Sequence, residues 1–524
     1  MAAPNDKLNV LFPLPSPPPS ALCPERLPGI THEAKLAVTR VLKANHEQRH
    51  AFVNDEGFHN HTSHHLLAVF ALGAPMACFD TIFNVHVDRT RPALKSPGNI
   101  SKENFYEHLG KKSYYDSYLH YFHDVILEKG ATAAIEEYVF ARGANVDENG
   151  SDKSPRKMFD RLFARLYHPM IYIGYGLEFG IPGLVAEGLA QTAVHSPEVP
   201  SLIPSSLFES QDGSGDSVTR LTSRLSTLLM NTTLGKTAPT GITAGQQPVS
   251  GVHAFTVLAR ILQDDAFTAS SLGLAPLANP ADNPLHYSKV AELVSQKILA
   301  HAEDWIVDGS NDEELQSKVE ELCWMNALLY GVGGWSGRKD AINGKFIADF
   351  FMMHMVTSSL FLCSFVPYLS PSSTVLLLRT YFLTSLTWWI SRGRPPLPIR
   401  EFYESVSDTP VIQGIDDVKP SKSTLSPETV TPNPWLQIIQ MSIVHTDDHL
   451  CKIQRALAHF ARQYGERPAG HFAASTRVGD ATLDGVELLD GTLFLKIASL
   501  TAEKVAAVKE AHDPFYWDLK GFYL

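Results

Sequence analysis

The chain has 524 residues, enough for several domains or for one large helical body with insertions. Its 44 Lys+Arg against 56 Asp+Glu give a formal net charge of -12, and with no basic run this argues against a nucleic-acid partner. Five cysteines, odd in number and without a C-x-x-C pair, fit a reducing compartment better than a disulfide framework. The N-terminus lacks the basic and apolar regions of a secretory signal, so the expected location is cytoplasmic.

Residues 1–30, with the run FPLPSPPPS, read as an extended proline-rich arm. From Thr31 helical periodicity takes over, and Ala34 to Phe52 reads as a helix. It leads into FHNHTSHHLL, residues 58–67, four histidines in ten positions just ahead of an apolar run. On a helix over 59–72, His61 and His65 would stand at i and i+4 on one face, the spacing at which two imidazoles reach one ion. The helix would end near Gly73, and Ala77 to Val87 would form the next. Residues 101–129 carry repeated Tyr and Phe, which suit either core packing or a flat aromatic ligand.

Past a polar loop at Asp147 to Lys157, His168 stands directly before Pro169, at a helix entrance. A helix from Pro182 places Glu187, Gln191 and His195 in one polar stripe on an otherwise apolar surface. About 197–250 and 404–434 are poor in periodicity and read as loop insertions, the first with a short helical piece at Leu221 to Leu229. Between them, Gly331, Gly333, Gly334 and Gly337 follow a helical pattern with no βαβ unit, which discounts a dinucleotide fingerprint. Phe350 to Ser370 is long enough to span a bilayer, but His354, Thr357, Ser358 and Pro367, and Arg379 in the next run, favour buried core helices over a membrane span. His354, Thr357 and Ser358 share one face of that helix. In HTDDHLCKIQRAL, Asp447 or Thr446 is the expected helix cap, with His449 and Lys452 one turn apart. The expected fold is thus all-α: residues 31–524 as one multi-helix catalytic body with two loop insertions.

His61, His65, His168, His195, His354 and His449 all lie in or beside apolar helical segments. Convergent, they would make a nitrogen-rich site suited to iron, copper or zinc. Two histidines with one carboxylate, Glu187 or Asp448, form one arrangement, and a histidine-only site the other. A buried Lys452 could lose its charge, take up carbon dioxide and ligate the metal as a carbamate. No G-x-S-x-G elbow, P-loop or glycine-rich βα turn is present, so hydrolase, phosphoryl-transfer and flavin readings lack their landmarks.

NHTSHHLLAVFALGAP, YHPMIYIGYGLEFGIPGLVAEGLAQTAVH, MMHMVTSSLFL and HTDDHLCKIQRAL, in that order, resemble the questin oxidase-like family. The resemblance implies a tailoring oxygenase of secondary metabolism that opens a ring of an aromatic polyketide such as an anthraquinone, with a Baeyer–Villiger-like outcome. Dioxygen would be the co-substrate, with a metal site or a reduced nicotinamide, NADPH, assisting; the helical placement of the histidines and the absence of a flavin signature, not the resemblance, favour Fe(II), and no flavin is expected. The metal positions would be His61, His65, His168, His354, His449 and Lys452, with Glu187, His195 and Tyr175 as catalytic candidates. Tyr172 stands where the HP-x-I-x-x-GYG stretch leads one to expect a histidine. Two other readings stay open: a metal-free acid/base enzyme or cyclase, and a non-catalytic helical binding protein.

Overall fold

The structure is a computed structural model. It describes residues 4–147, 155–208, 251–277, 283–337, 346–407, 423, 432–473, 476, 480–506 and 517–523. Most of the two expected insertions, and the helical piece at Leu221 to Leu229, lie outside the described residues.

The architecture is all-α. Among the described residues, β pairing is confined to the isolated bridges Arg49–Pro92, Phe52–His59 and Asp349–Asp518. The proline-rich lead differs from its extended expectation at the start, where α1 (Pro4–Leu11) forms. Leu8, Leu11 and Phe12 are spaced for one helical face, and Leu11 and Phe12 are buried. Helix α2 (His32–Gln48) starts at Thr31, whose side chain accepts from the Ala34 N–H, and buries Ala34, Val38, Val41, Leu42 and Asn45. Next come α3 (Thr62–Ala71), buried on every side, α4 (Ala77–Val87) and α5 (Tyr115–Lys129).

Helices α6 (Ala164–Phe179) and α7 (Pro182–Val194) form a tight hairpin. Gly180, with φ of 62°, ends α6 in the left-handed conformation, and Pro182 opens α7, where its missing N–H has no helical partner to lose. Farther on are α8 (Ala254–Gln263), α9 (Asn283–His301), α10 (Asp312–Ser336), α11 (Phe350–Ser359) and α12 (Pro371–Ser391). The last are α13 (Pro434–Val444), α14 (Asp448–Tyr464) and α15 (Thr492–Ala506). Helix α14 packs against α3, α11 and α15, and α6 against α3, α7 and α11, which gathers distant segments around one centre.

The glycines after Tyr330 lie in and just after α10, as their pattern indicates. The apolar run at 350–370 is broken after α11 and buried, and Arg379 in α12 donates to the Trp305 carbonyl. No helix among the described residues is long and apolar enough to cross a membrane. Of the tyrosines and phenylalanines of 105–122, Phe105 packs against Tyr106, Tyr118, Tyr121 and Phe122, while Tyr115 packs against Phe52 and Tyr114 stacks on His108. All five cysteines are free thiols.

The α6–α7 hairpin depends on close backbone approach. A Cβ added at Gly188 would stand 2.8 Å from the Pro169 carbonyl oxygen and 2.9 Å from the Ile173 nitrogen, so backbone would have to move. Gly188→Ala is therefore expected to cost about 1–3 kcal/mol, read as a lowered thermal midpoint. An unchanged midpoint would show that the helices separate freely.

Candidate active site

Four segments bring imidazoles to one place. His61 is the residue before α3, His168 follows a left-handed turn inside α6, His354 lies in α11, and His449 opens α14. Ring centroids are 4.9 Å apart for His61 and His168, 5.2 Å for His168 and His354, 5.2 Å for His354 and His449, and 4.9 Å for His61 and His449. Asp447 caps α14 by accepting from the N–H groups of His449 and Leu450, which aims Asp448 and His449 at the centre.

The partners of these rings fix their tautomers. His61 Nδ1 lies 2.7 Å from Asp448 Oδ2, and His168 Nδ1 faces the Arg165 carbonyl. His354 Nδ1 lies 2.8 Å from the Phe350 carbonyl oxygen, and His449 Nδ1 is 3.5 Å from Asp448 Oδ2. For His61, His168 and His354 the partner oxygen is an acceptor, so each of these neutral rings carries its proton on Nδ1 and leaves Nε2 as a lone pair. The Nε2 atoms of His61 and His168 then face each other at 2.7 Å with no proton between them. Those of His354 and His449 are buried without a partner. A ring oriented by Nδ1–H to an oxygen, with Nε2 turned inward, is the usual arrangement of a metal-ligating histidine. His61, Asp448 and His449 also offer ligand atoms that all lie within 4.8 Å of one another.

Electrostatics agree with neutral rings. Burial, followed by repulsion among the rings, pushes His59, His64, His168 and His354 well below the ordinary imidazole range, and burial brings His61 down to about 3. Burial opposes ionisation of Asp448, but His449, Lys452 and His61 together hold its carboxyl well below the usual range.

The centre forms one end of a cavity of about 750 Å³. Phe58, Phe350, Phe351 and Trp388 supply aromatic walls, His59, His61, His168 and His449 the nitrogen-rich end, and Arg165, Glu56 and Glu198 the charged groups. A volume of this size suits a small polycyclic molecule.

Some sequence-expected residues fall elsewhere. His65 does not chelate beside His61. Helix α3 begins only at Thr62, so His61 has non-helical dihedrals (φ −95°, ψ 7°) and turns to His168, while His65 Nδ1 meets His86 Nε2 at 3.0 Å. His64, which helical spacing turns away, stacks on His61 with centroids 5.4 Å apart. Glu187 is buried against His46 Nδ1 at 2.6 Å, away from the cavity. His195, at the other end of that stripe, reaches His59 with 2.8 Å between their Nε2 atoms. Tyr175 is buried beside His64 and Phe361. Lys452 Nζ lies 3.0 Å from Asp448 Oδ2, an ion pair that a carbamate on the amine would give up. The Thr357 hydroxyl donates to the His354 carbonyl and Ser358 bonds Tyr381, so neither feeds the cavity. Sequence reasoning missed Arg165, Glu198, Phe351 and Trp388, which carry no spacing signal.

The profile described as questin oxidase-like matches residues 58–457, from His-rich segment to α14. The chain belongs to the questin oxidase-like family. It is 26% identical over 497 residues to Baeyer-Villiger oxidase ptaJ of Pestalotiopsis fici, covering 92% of this chain and 90% of the relative. It is 24% identical over 434 residues to a questin oxidase of Aspergillus terreus, covering 80% and 79%, and 25% identical over 489 residues to a questin oxidase of Aspergillus fumigatus, covering 92% and 91%. As a questin oxidase-like protein it is an oxidoreductase, and its relatives are named as questin oxidases and Baeyer-Villiger oxidases.

Burying neutral histidines makes stability of this questin oxidase-like fold depend on pH. His61, His65 and His195 sit at about 3 in the fold because of burial, whereas an unfolded imidazole titrates at about 6.5. Between those values only the unfolded chain binds the proton, so stability is full above about pH 6.5 and falls as pH drops. At pH 5 each such histidine is expected to cost about 2 kcal/mol relative to pH 7.5. Urea unfolding in the presence of a chelator checks this, and a midpoint that does not fall between those two pH values contradicts neutral burial.

Proposed function

We propose that the chain is an iron-dependent oxygenase that opens a ring of an aromatic polyketide of the anthraquinone type with a Baeyer–Villiger-like outcome. The observation that carries this reading is the meeting of His61, His168, His354 and His449 beside Asp448: the Nε2 atoms of His61 and His168 lie 2.7 Å apart, and those of His354 and His449 are buried without partners. Nitrogen donors in this number suit iron better than magnesium or calcium, and a cation is what facing lone pairs lack. The four histidines would hold the ion, with Asp448 as a ligand or as the acceptor that orients His61. Bound ferrous iron supplies one-electron chemistry with dioxygen.

The chain's own groups do the rest. Phe350, Phe351 and Trp388 clamp a flat ring system and keep water from it. Carbonyls of Arg165 and Phe350, with Asp448, hold Nδ1–H of three rings and so keep their lone pairs directed inward. Insertion of one oxygen atom between a ring carbon and its carbonyl carbon gives a lactone, which hydrolysis opens. The second oxygen atom leaves as water and takes two electrons and two protons, for which NADPH is the proposed co-substrate.

Elemental analysis of purified protein tests the metal, and mass spectrometry of an anthraquinone incubated with dioxygen tests the reaction. About one iron per chain is expected in the wild type and in His65→Ala. Less than about a tenth of that is expected in His354→Ala and His449→Ala, because loss of a ligand lowers metal affinity at least as much as loss of its supporting partner. Equal iron in all four proteins, or none in the wild type, would contradict the site.

A further inference from the structure

The histidine centre accounts for one end of the cavity; the charged end is built separately. Glu198 sits in the turn S-P-E-V-P, where its own N–H and that of Val199 donate to Asp160 Oδ1 at 3.0 and 3.1 Å. That pins the backbone. The side chain, 17% exposed, accepts the Arg165 N–H on Oε1 at 3.0 Å, and the same oxygen is 4.0 Å from Arg165 Nε. Oε2 has no hydrogen-bond partner among the described residues, and the residue lines the cavity. Arg165, 38% exposed, lines it too and donates to the Glu56 carbonyl at 3.2 Å.

Capping the turn needs only Oε1. Arg165, Leu166 and Tyr167 all have positive φ, of 51°, 60° and 64°, a run that is costly for residues with side chains and recurs at functional sites. Glu198 holds its first N–H. The second oxygen, unpaired among the described residues, opens on the cavity that Phe351 and Trp388 also line, where it can meet a bound molecule. Burial raises the Glu198 carboxyl to about 7, an effect that Arg165 offsets only in part and Asp160 adds to. Tyr167 and Tyr287 are the other titratable neighbours that feel its charge, and burial keeps both protonated.

Given the proposed aromatic substrate, we infer that Glu198 takes the proton from an acidic ring hydroxyl of that substrate and that the Arg165 guanidinium then holds the oxyanion. The phenolic O–H bond breaks and its electron pair stays on oxygen. The proton forms an O–H bond on Glu198 Oε2, so one negative charge passes from carboxylate to phenolate with no change in oxidation state. A phenolate ring is richer in electrons than a phenol and is easier to oxidise. Glu198 must be ionised to accept, so kcat/KM rises with pH through about 7 and levels above it.

The probe is 1,8-dihydroxyanthraquinone, with 1,8-dimethoxyanthraquinone as the ether that has no proton to give, both bound without dioxygen. The visible spectrum distinguishes phenol from phenolate. In the wild type, the bound dihydroxy compound is expected to ionise about one pH unit or more below the free compound. Glu198→Gln, which keeps an acceptor for the Arg165 N–H but cannot take the proton, is expected to lower kcat/KM and remove its rise through about pH 7, while iron content and the ionisation of the bound compound by Arg165 remain. Arg165→Gln is expected to weaken binding of the dihydroxy anion about tenfold and to leave the ether unaffected. A kcat/KM in Glu198→Gln that keeps the size and pH profile of the wild type would overturn the assignment. So would a wild-type complex that keeps the phenol neutral, whatever the variant's folding. Failure of either quinone to bind the wild type would instead overturn the substrate reading, and this inference with it.

Discussion

Asp448 Oδ2 gathers three nitrogens at one point: it bonds His61 Nδ1 at 2.7 Å, pairs with Lys452 Nζ at 3.0 Å and lies 3.5 Å from His449 Nδ1. The rest of the centre depends on this oxygen, because accepting from Nδ1 is what turns the remaining nitrogen of His61 inward. Its own position comes from α14, whose cap at Asp447 fixes where the helix begins. Removing the carboxylate would leave buried Lys452 without its ion-pair partner and the His61 ring proton without an acceptor, a change more costly than losing one hydrogen bond.

Neutral burial is the second constraint. Packing this many imidazoles away from water is tolerable only if they stay uncharged, and burial together with mutual repulsion ensures that. The arrangement opposes stability in mild acid and leaves lone pairs that the protein itself does not satisfy. The left-handed run before His168 adds local strain in the same place. Unsatisfied lone pairs and strained backbone in one pocket are what a site organised for a ligand shows, whereas a core organised for stability alone would avoid both.

Much of this was legible in the letters. Helical periodicity located α4 with its bounds and α7 from its proline, and the apolar settings of His168, His354 and His449 marked residues that converge although almost three hundred positions separate the first from the last. Less legible was anything set by where a helix starts. A start three residues later than expected, at Thr62, takes His61 off the helix, breaks its i, i+4 relation with His65 and sends the two rings to different neighbours. The polar stripe of α7 misled for a related reason: periodicity reports that Glu187 and His195 share a face but not that α2 covers the first, through His46, while the second ends at His59. Arg165 and Glu198 had no pattern at all, because a left-handed turn of ordinary residues and a proline-flanked glutamate look like loop.

The most direct test of the centre is an anomalous difference map, collected above and below the iron absorption edge, from crystals of protein purified without chelator. One peak within bonding distance of the Nε2 atoms of His61, His168, His354 and His449 is the predicted result. The absence of a peak there in iron-replete protein, or a peak held by a different set of residues, would contradict the account.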